Sequence, residues 1–200
     1  MIANPLGFLF SPEKQWQKAA DLNSSSFSLF ILYPIILALL PAVAWYYGTA
    51  VSGWGVGDDD ELTRLTPDSA LKLIGAFYFT MVMSVIVVGY SISWMARTYG
   101  LESSIPQGIA ISSFAATPMF IIGIVGFYPL MWLDLSLGIL ALCWSVYLLY
   151  TGIPIVMKIP KEQGFLYASA IIAVCCVILM CIMGGSVILW DNGFMPVFTD

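Results

Sequence analysis

The sequence contains no histidine among its 200 residues, and only 10% of its residues are charged. Without histidine the chain lacks the most common general base and the most common zinc ligand, which excludes His-dependent zinc hydrolases and Ser–His proteases. Seven Lys and Arg are too few for the basic stripe of a nucleic-acid-binding protein. A soluble domain is excluded as well, because about 25% charged residues is usual there.

Other chemical signatures are also missing. The four cysteines lie within apolar runs, and none has a loop cysteine to pair with, so a secreted disulfide framework is not predicted. The sequence has no nucleophile elbow, P-loop or dinucleotide-binding motif. No apolar run carries an ionisable residue near its middle, and Asp134 comes closest, near the start of the fourth run. Membrane enzymes and pumps usually place charge deeper, so we predict no catalytic residue, metal or cofactor.

Long apolar runs dominate the rest of the chain, and 60% of the residues are hydrophobic. A globule of this length could not hide so much apolar surface, so the predicted solvent is a bilayer. A helical crossing needs roughly 20 apolar residues, and lipid requires the backbone to be bonded within each segment. The predicted fold class is an all-α integral membrane protein with a bundle of five transmembrane helices. The spans are about 27–47, 70–97, 108–127, 131–157 and 165–190.

A polar leader, residues 1–26, precedes the first span. Ser11, Pro12 and Glu13 have the features of a helix start, namely an N-cap, a first-turn proline and a first-turn acid. They predict a short amphipathic helix at about 12–22 that lies on the membrane surface; the alternative is an ordinary loop. The side chains expected to enter the interface are Leu6, Phe8, Leu9, Phe10 and Trp16.

The cations divide unequally between the two sides of the predicted bundle. One side carries Lys14, Lys18, Arg97, Lys158 and Lys161. The other side carries Arg64 and Lys72. Because Lys and Arg are retained in the cytoplasm, the N-terminus is predicted inside and the tail, residues 191–200, outside. The five inner cations, together with Trp16, are the predicted contacts for a partner or for lipid.

Four prolines interrupt the predicted spans, and broken helices line substrate sites in transporters. The residues of a possible groove are Pro34, Thr117, Pro118 and Cys176. Cysteine and methionine are also plentiful in the fifth span, and soft ligands suit Cu(I). The alternative for all of these residues is close helix packing, which small residues favour and for which Met and Cys are ordinary fillers.

An acidic cluster, Asp58–Glu61, lies in the loop after the first span. Its oxygen ligands could bind a hard cation, although the spacing is not that of an EF-hand. A solvated loop on the outer side is the other interpretation.

The layout of the chain resembles the Yip domain family of five-span membrane proteins, named for Ypt/Rab interaction, and in particular its short bacterial members. The stretches that carry the resemblance are Asn4-Pro5, Ser11 to Trp16, Tyr33-Pro34, Leu40-Pro41, Ser113, Thr117-Pro118, Leu149 to Ile153 and Ile159 to Gly164. The resemblance implies a cytosolic N-terminus and a five-helix bundle. Eukaryotic members act in vesicle traffic with Rab GTPases through a long leader, whereas this leader is short and lacks an Asp-Leu-Tyr-Gly-Pro motif.

The predicted function is that of a non-enzymatic adaptor, accessory subunit or membrane-organising factor in a bacterial inner membrane. Its expected partners are membrane lipids and other membrane proteins or a second copy of itself, and nucleic acid is not expected. The alternative is an oligomeric transporter or channel for a small solute or a soft metal ion. An intramembrane enzyme would need Asp134, Tyr150 or a cysteine as its reactive group, and a thiol in apolar surroundings is inert.

Overall fold

The computed structural model describes residues 6–20, 27–55, 62–98, 100–101 and 103–199, and almost all of them are helical. The helices are α1 (Gly7–Phe10), α2 (Pro12–Ala20), α3 (Phe27–Tyr47), α4 (Pro67–Thr98), α5 (Ile105–Ala115), α6 (Thr117–Ile122), α7 (Met131–Met157) and α8 (Lys161–Leu189). Two short strands, β1 (Trp54–Gly55) and β2 (Leu62–Thr63), form a hairpin between α3 and α4. A 3-10 segment, Gly123–Phe127, follows α6, and π-helical turns follow α3 and α8.

The prediction of an all-α membrane protein is confirmed. Four helical segments in the described residues are long and apolar enough to cross a bilayer, and a bent pair adds a fifth if it counts as one span. The bent pair is the predicted third span, which is not one continuous helix. It consists of α5 and the segment Thr117–Phe127, and the two are inclined by 40°. Pro118 explains the break, because it has no amide hydrogen and its ring clashes with the carbonyl of Phe114.

Helix α5 begins three residues before the predicted span boundary at residue 108, because a capping box forms at Ser104. The Ser104 hydroxyl accepts a hydrogen bond from the Gln107 amide at 3.4 Å, and the Gln107 side chain accepts one from the Ser104 amide at 3.2 Å. Pro106 fits the first turn, where a missing amide hydrogen costs nothing. This local chemistry begins the helix at Ile105.

Four helix ends meet at one end of the bundle, which we call the basic end. Here α4 and α7 finish and α5 and α8 begin. The hydroxyl of Ser93 in α4 donates to the carbonyl of Ser104 at 3.0 Å, which ties the end of α4 to the start of α5. Gly164 of α8 lies so close to α7 that a Cβ there would be 2.8 Å from Pro154. The basic end is therefore closely packed.

The opposite end, which we call the tail end, carries the β-hairpin and the C-terminal tail. The amide of Thr66 donates to the Val197 carbonyl at 2.9 Å, and Leu65 forms a β-bridge with Phe198. The rings of Trp54 and Phe198 pack edge to face at 6.2 Å. The tail thus attaches α8 to the start of α4. The predicted acidic cluster Asp58–Glu61, Asn4-Pro5 and residues 21–26 of the leader lie outside the described residues.

Helices α7 and α8 pack on each other near the basic end, and few of their residues are buried toward the tail end. The Tyr150 and Ser169 hydroxyls are 2.9 Å apart, and the Tyr150 ring stacks on Phe165. All of α7 and α8 is described, and no residue of α7 before Ala141 is buried, nor any residue of α8 beyond Ile171. The tail-end halves of the two helices therefore turn almost all their apolar surface outward.

Candidate functional site

The leader is docked into the helix bundle, which corrects the prediction that it lies on the membrane surface. Phe8 and Trp16 are both 0% exposed, so Trp16 is not placed to contact lipid or a partner. Their rings form a cluster with Phe114 of α5. The Phe8 ring stacks on Phe114 at 4.8 Å and meets Trp16 edge to face at 4.9 Å, and Trp16 meets Phe114 at 6.2 Å. The aromatic contacts with Phe114 thus hold these two side chains inside the bundle and not at the membrane interface.

A glycine in α7 makes room for the indole. A Cβ at Gly152 would lie 2.5 Å from Cε2 of Trp16, a distance that side chains do not tolerate. Trp16 and Ala19 share the apolar face of α2, and both are buried in the same core. The sequence did not identify the surface of the bundle against which this face packs. The pairing of Trp16 with Gly152 and Phe114 spans about 100 residues or more, and no local pattern predicts it.

The leader extends along α7 and away from the basic end. The Trp144 indole donates to the Phe8 carbonyl at 3.2 Å, whereas Trp16 lies at the level of Gly152. At 1.5 Å per residue, Trp144 is about 20 Å from the end of α7 at Met157. Among the described residues, two buried polar atoms near this contact lack a hydrogen-bond partner, Nε1 of Trp16 and Oγ of Ser145. Buried polar atoms without a partner are uncommon in a packed interior, so the hydrogen bonding between the leader and α7 is incomplete.

The outer face of α2 is polar and exposed. Its exposed residues are Glu13, Lys14, Gln17 and Lys18. The buried Trp16 fixes this helix on α7, and Lys14 and Lys18 therefore form a fixed cationic surface. Two predicted contact residues are thus accessible, as the prediction requires, although their helix lies on the bundle. Phe10 and Leu6 are also exposed, at 83% and 56%, unlike Phe8.

The other three predicted contact cations, Arg97, Lys158 and Lys161, are exposed at the basic end. Lys158 ends α7 in the left-handed conformation, with φ of 54°, and the Ile159 amide then donates to the Pro154 carbonyl at 3.1 Å. Likewise, the Leu101 amide donates to the Ala96 carbonyl at 2.9 Å after α4 ends. Each turn brings an apolar residue back onto the bundle and leaves the neighbouring cation in solvent.

These turns enclose a cleft of about 190 Å³ at the basic end. Its lining residues are Leu101, Ile159, Gln163, Leu166 and Tyr167. Tyr167 forms the floor, because it is 2% exposed and its hydroxyl donates to the Ile92 carbonyl of α4. None of the five lining residues was predicted as a site residue. Only the cations beside them, at positions 97, 158 and 161, indicated this region in the sequence.

The predicted groove residues do not come together. Pro34 and Thr117 are fully buried and Pro118 is buried, whereas Cys176 is exposed on α8. The Tyr33 hydroxyl lies 2.8 Å from the Thr117 hydroxyl and joins α3 to α6. The groove prediction is therefore wrong for Cys176, because its side chain is exposed on α8 and lies apart from the buried Pro34, Thr117 and Pro118. The three other residues occupy a closed contact between helices.

Polar side chains elsewhere in the bundle bond to neighbouring helices. Ser112 of α5 donates to the Val85 carbonyl of α4 at 2.8 Å, and Tyr78 of α4 donates to the Ile35 carbonyl of α3 at 3.0 Å. These bonds satisfy hydroxyl groups that would otherwise face an apolar core. In the part of the chain that the structure describes, no group of three or more Cys, Asp or Glu could hold a metal ion.

Comparisons with known proteins agree with this architecture. The sequence matches the Yip1 domain over residues 6–182, a range that includes both the docked leader and most of α8. It is 33% identical over 188 residues to the inner membrane protein YohC of Escherichia coli K12, and the alignment covers 94% of this chain and 96% of YohC. YohC of Escherichia coli O6:H1 is similar to the same extent. No solved structure matches the chain.

Proposed function

The chain belongs to the Yip1 domain family, and from that premise we propose that it is a non-enzymatic adaptor or membrane-organising protein of a bacterial inner membrane. The observation that carries the proposal is the docked leader. Burial of Trp16 against Gly152 holds α2 in place, so Lys14 and Lys18 are presented on a rigid surface rather than on a mobile tail. A fixed helix with an exposed, charged face suits recognition of another protein, because little ordering entropy is lost on binding.

The proposed topology has five spans, with α5 and Thr117–Phe127 together forming the third. The N-terminus is inside and the tail outside. Its support is the distribution of cations, because the basic end carries Arg97, Lys158 and Lys161 and the tail end carries Arg64 and Lys72. A reporter fused after residue 200 tests the topology, and activity of a cytoplasmic reporter there would refute it.

The use of polar groups in the bundle supports a role without transport or catalysis. Ser112 and Tyr78 bond to backbone carbonyls of neighbouring helices, and Tyr33 bonds to Thr117. Hydroxyl groups engaged in this way hold helices together and are not available to line a path for a solute. We infer that the membrane part is a scaffold for the surface formed by α2 and the basic end.

Native mass spectrometry of the protein released directly from inner-membrane vesicles tests the adaptor proposal. The expected result is a complex with another membrane protein or with a second copy. The double variant Lys14→Ala/Lys18→Ala should lose most of that complex while retaining its thermal stability. The double variant Arg64→Ala/Lys72→Ala, at the opposite end, is the matched control and should retain the complex. Recovery of the wild-type chain alone would overturn the proposal.

A transporter or channel is the second candidate, and the 40° bend in the third span favours it. Bent and broken helices form substrate sites in several transporters. Liposomes loaded with a small solute or with Cu(I) provide the test. Flux that depends on the protein and decreases in Thr117→Val, which removes the hydroxyl next to Pro118, would establish this alternative; absence of flux would reject it.

A further inference from the structure

We propose that the cleft at the basic end binds an anionic phospholipid of the surrounding bilayer. The phosphate lies at the rim of the cleft, the glycerol region lies inside it, and the acyl chains lie along α8. This proposal rests on the proposed membrane-organising role and adds to it a class of lipid and a binding site. It does not depend on Lys14 and Lys18, so its failure and the failure of the adaptor proposal can be told apart.

The size and walls of the cleft suit the glycerol region of a lipid. Its volume of about 190 Å³ is below the roughly 300–1,000 Å³ of pockets that enclose a whole small ligand, so the cleft can hold one part of a lipid and not two acyl chains. Leu101, Ile159 and Leu166 provide apolar walls, and Gln163 provides an amide that can donate and accept hydrogen bonds. This combination matches a glycerol ester, which is apolar along its carbon skeleton and polar at its ester oxygens.

Three exposed cations flank the lining residues of the cleft in the sequence. Lys158 is adjacent in sequence to the wall residue Ile159, and Lys161 lies two residues before Gln163. Arg97 lies in the last turn of α4, and the Gly100 amide bonds to its carbonyl at 3.0 Å in the turn that leads to Leu101. Glu162 is the one acid among the described residues 97–98, 100–101 and 158–164, which carry three cations. With Glu102, which follows Leu101 and lies outside the described residues, the formal charge of positions 97–102 and 158–164 is +1. Basic pockets between membrane helices at the cytoplasmic side bind anionic headgroups.

The start of α8 adds donors to the same rim. The first amide groups of a helix have no partner within the helix, and the dipole places partial positive charge there. Lys161 is the first residue of this 29-residue helix, and no side chain caps it. A phosphate held by Lys158 and Lys161 would meet these amides as well. This feature is common to all helices and contributes to the site only together with the cleft and its cations.

The direction in which the cleft opens selects a lipid over a soluble anion or an acidic peptide. Leu166 lines the cleft and is still 68% exposed, and its neighbour Phe165 is 59% exposed. Both lie near the start of the fifth predicted span, so the opening continues onto the apolar surface of α8. A soluble anion would use only the rim, whereas a phospholipid covers the rim, the cleft and this surface together.

Native mass spectrometry in a mild detergent tests the site with phosphatidylglycerol and phosphatidylcholine of equal chain length. The expected result is preferential retention of phosphatidylglycerol by the wild type. Lys158→Ala/Lys161→Ala should weaken that retention by about tenfold or more, since each cation near an anionic headgroup contributes about a fivefold factor. The matched control, Arg64→Ala/Lys72→Ala, removes the same number of cations at the tail end and should bind as the wild type does.

A second variant tests the cleft separately from its charge. Leu101→Trp is expected to fill the cleft and to reduce phosphatidylglycerol binding while all five inner cations remain. Equal retention of the two lipids, or unchanged binding in the Lys158→Ala/Lys161→Ala variant, would overturn the proposal. Binding of inorganic phosphate or of an acidic peptide with the same affinity as the lipid would overturn it too. A thermal unfolding scan of each variant confirms that the change in binding occurs in folded protein.

Discussion

The basic-end half of the bundle and the tail-end half are built by different means. The first holds a large core that includes Phe8, Trp16 and Phe114, contributed by the leader and α5. The second holds a small core of Ala38, Val82, Val85 and Phe120 and depends on the tail, which bonds to the loop before α4. The comparison indicates that the larger core lies where the leader docks. In the other half, α3 packs closely on the 3-10 segment at Gly123 and Gly126, and the tail attaches α8 to the start of α4.

The glycines of α7 and α8 differ in the same way along the two helices. A Cβ added at Gly152 or Gly164 would meet another element within 3 Å, whereas nothing lies within 4 Å of one at Gly138, Gly184 or Gly185. Small residues let helix backbones approach closely, and in the basic-end half that approach is used within the chain. In the tail-end halves of α7 and α8 it is not used by any described residue. The two sets of glycines give matched variants with opposite expected effects.

Of the variants that test this comparison, Trp16→Ala is expected to lose the most stability. It removes a fully buried ring from the basic-end core, and such changes cost about 3–5 kcal/mol of stability. The loss of stability is measured by unfolding the protein in mixed micelles and monitoring its helix content by far-UV circular dichroism, which does not rely on tryptophan fluorescence. Lys14→Ala, two residues away and exposed, should change stability by less than about 0.5 kcal/mol. Equal stability of Trp16→Ala and the wild type would show that the leader does not dock.

Gly152→Ala and Gly138→Ala, both in α7, compare a closed position with an open one. At Gly152 the added methyl group collides with the Trp16 indole, and overpacking of this kind costs about 1–3 kcal/mol. At Gly138 the methyl group meets nothing, and replacement of a helical glycine by alanine stabilises by roughly 0.5–1 kcal/mol. The same unfolding assay applies. Effects of equal sign at the two positions would contradict the described packing of the leader on α7.

The sequence predicted the helical membrane class, because long apolar runs are encoded in neighbouring residues. Its failures involve contacts between distant parts of the chain. The amphipathic pattern of α2 placed Trp16 on the correct face but assigned that face to lipid, since an apolar stripe does not reveal whether lipid or protein covers it. Cys176 was grouped with Pro34 for the same reason. The cleft residues Gln163 and Tyr167 have no distinguishing local pattern.

Phe198→Ala tests how the tail-end half is held. Its ring packs edge to face on Trp54, and aromatic pairs contribute about 0.5–1.5 kcal/mol beyond the area they bury. Since Phe198 is 49% exposed, the expected loss, which includes the area buried by the half-exposed ring, is about 1 kcal/mol. Met195→Ala, in the same tail and 68% exposed, is the control and should be close to neutral. Limited proteolysis of the tail provides the measurement, and equal cleavage rates in both variants would contradict the pairing.

Ser112→Ala is expected to have the smallest measurable effect, because it removes one hydrogen bond between α5 and α4. The Ser112 hydroxyl donates to the Val85 carbonyl at 2.8 Å, and such bonds between membrane helices average about 0.6 kcal/mol. Ser136→Ala is the control, because the Ser136 hydroxyl bonds at 2.7 Å to the Trp132 carbonyl of its own helix. Unfolding in mixed micelles should therefore separate the two variants. If Ser136→Ala were the more damaging, hydrogen bonds within helices rather than between them would hold the bundle, and the scaffold role assigned to these polar groups would lose its support.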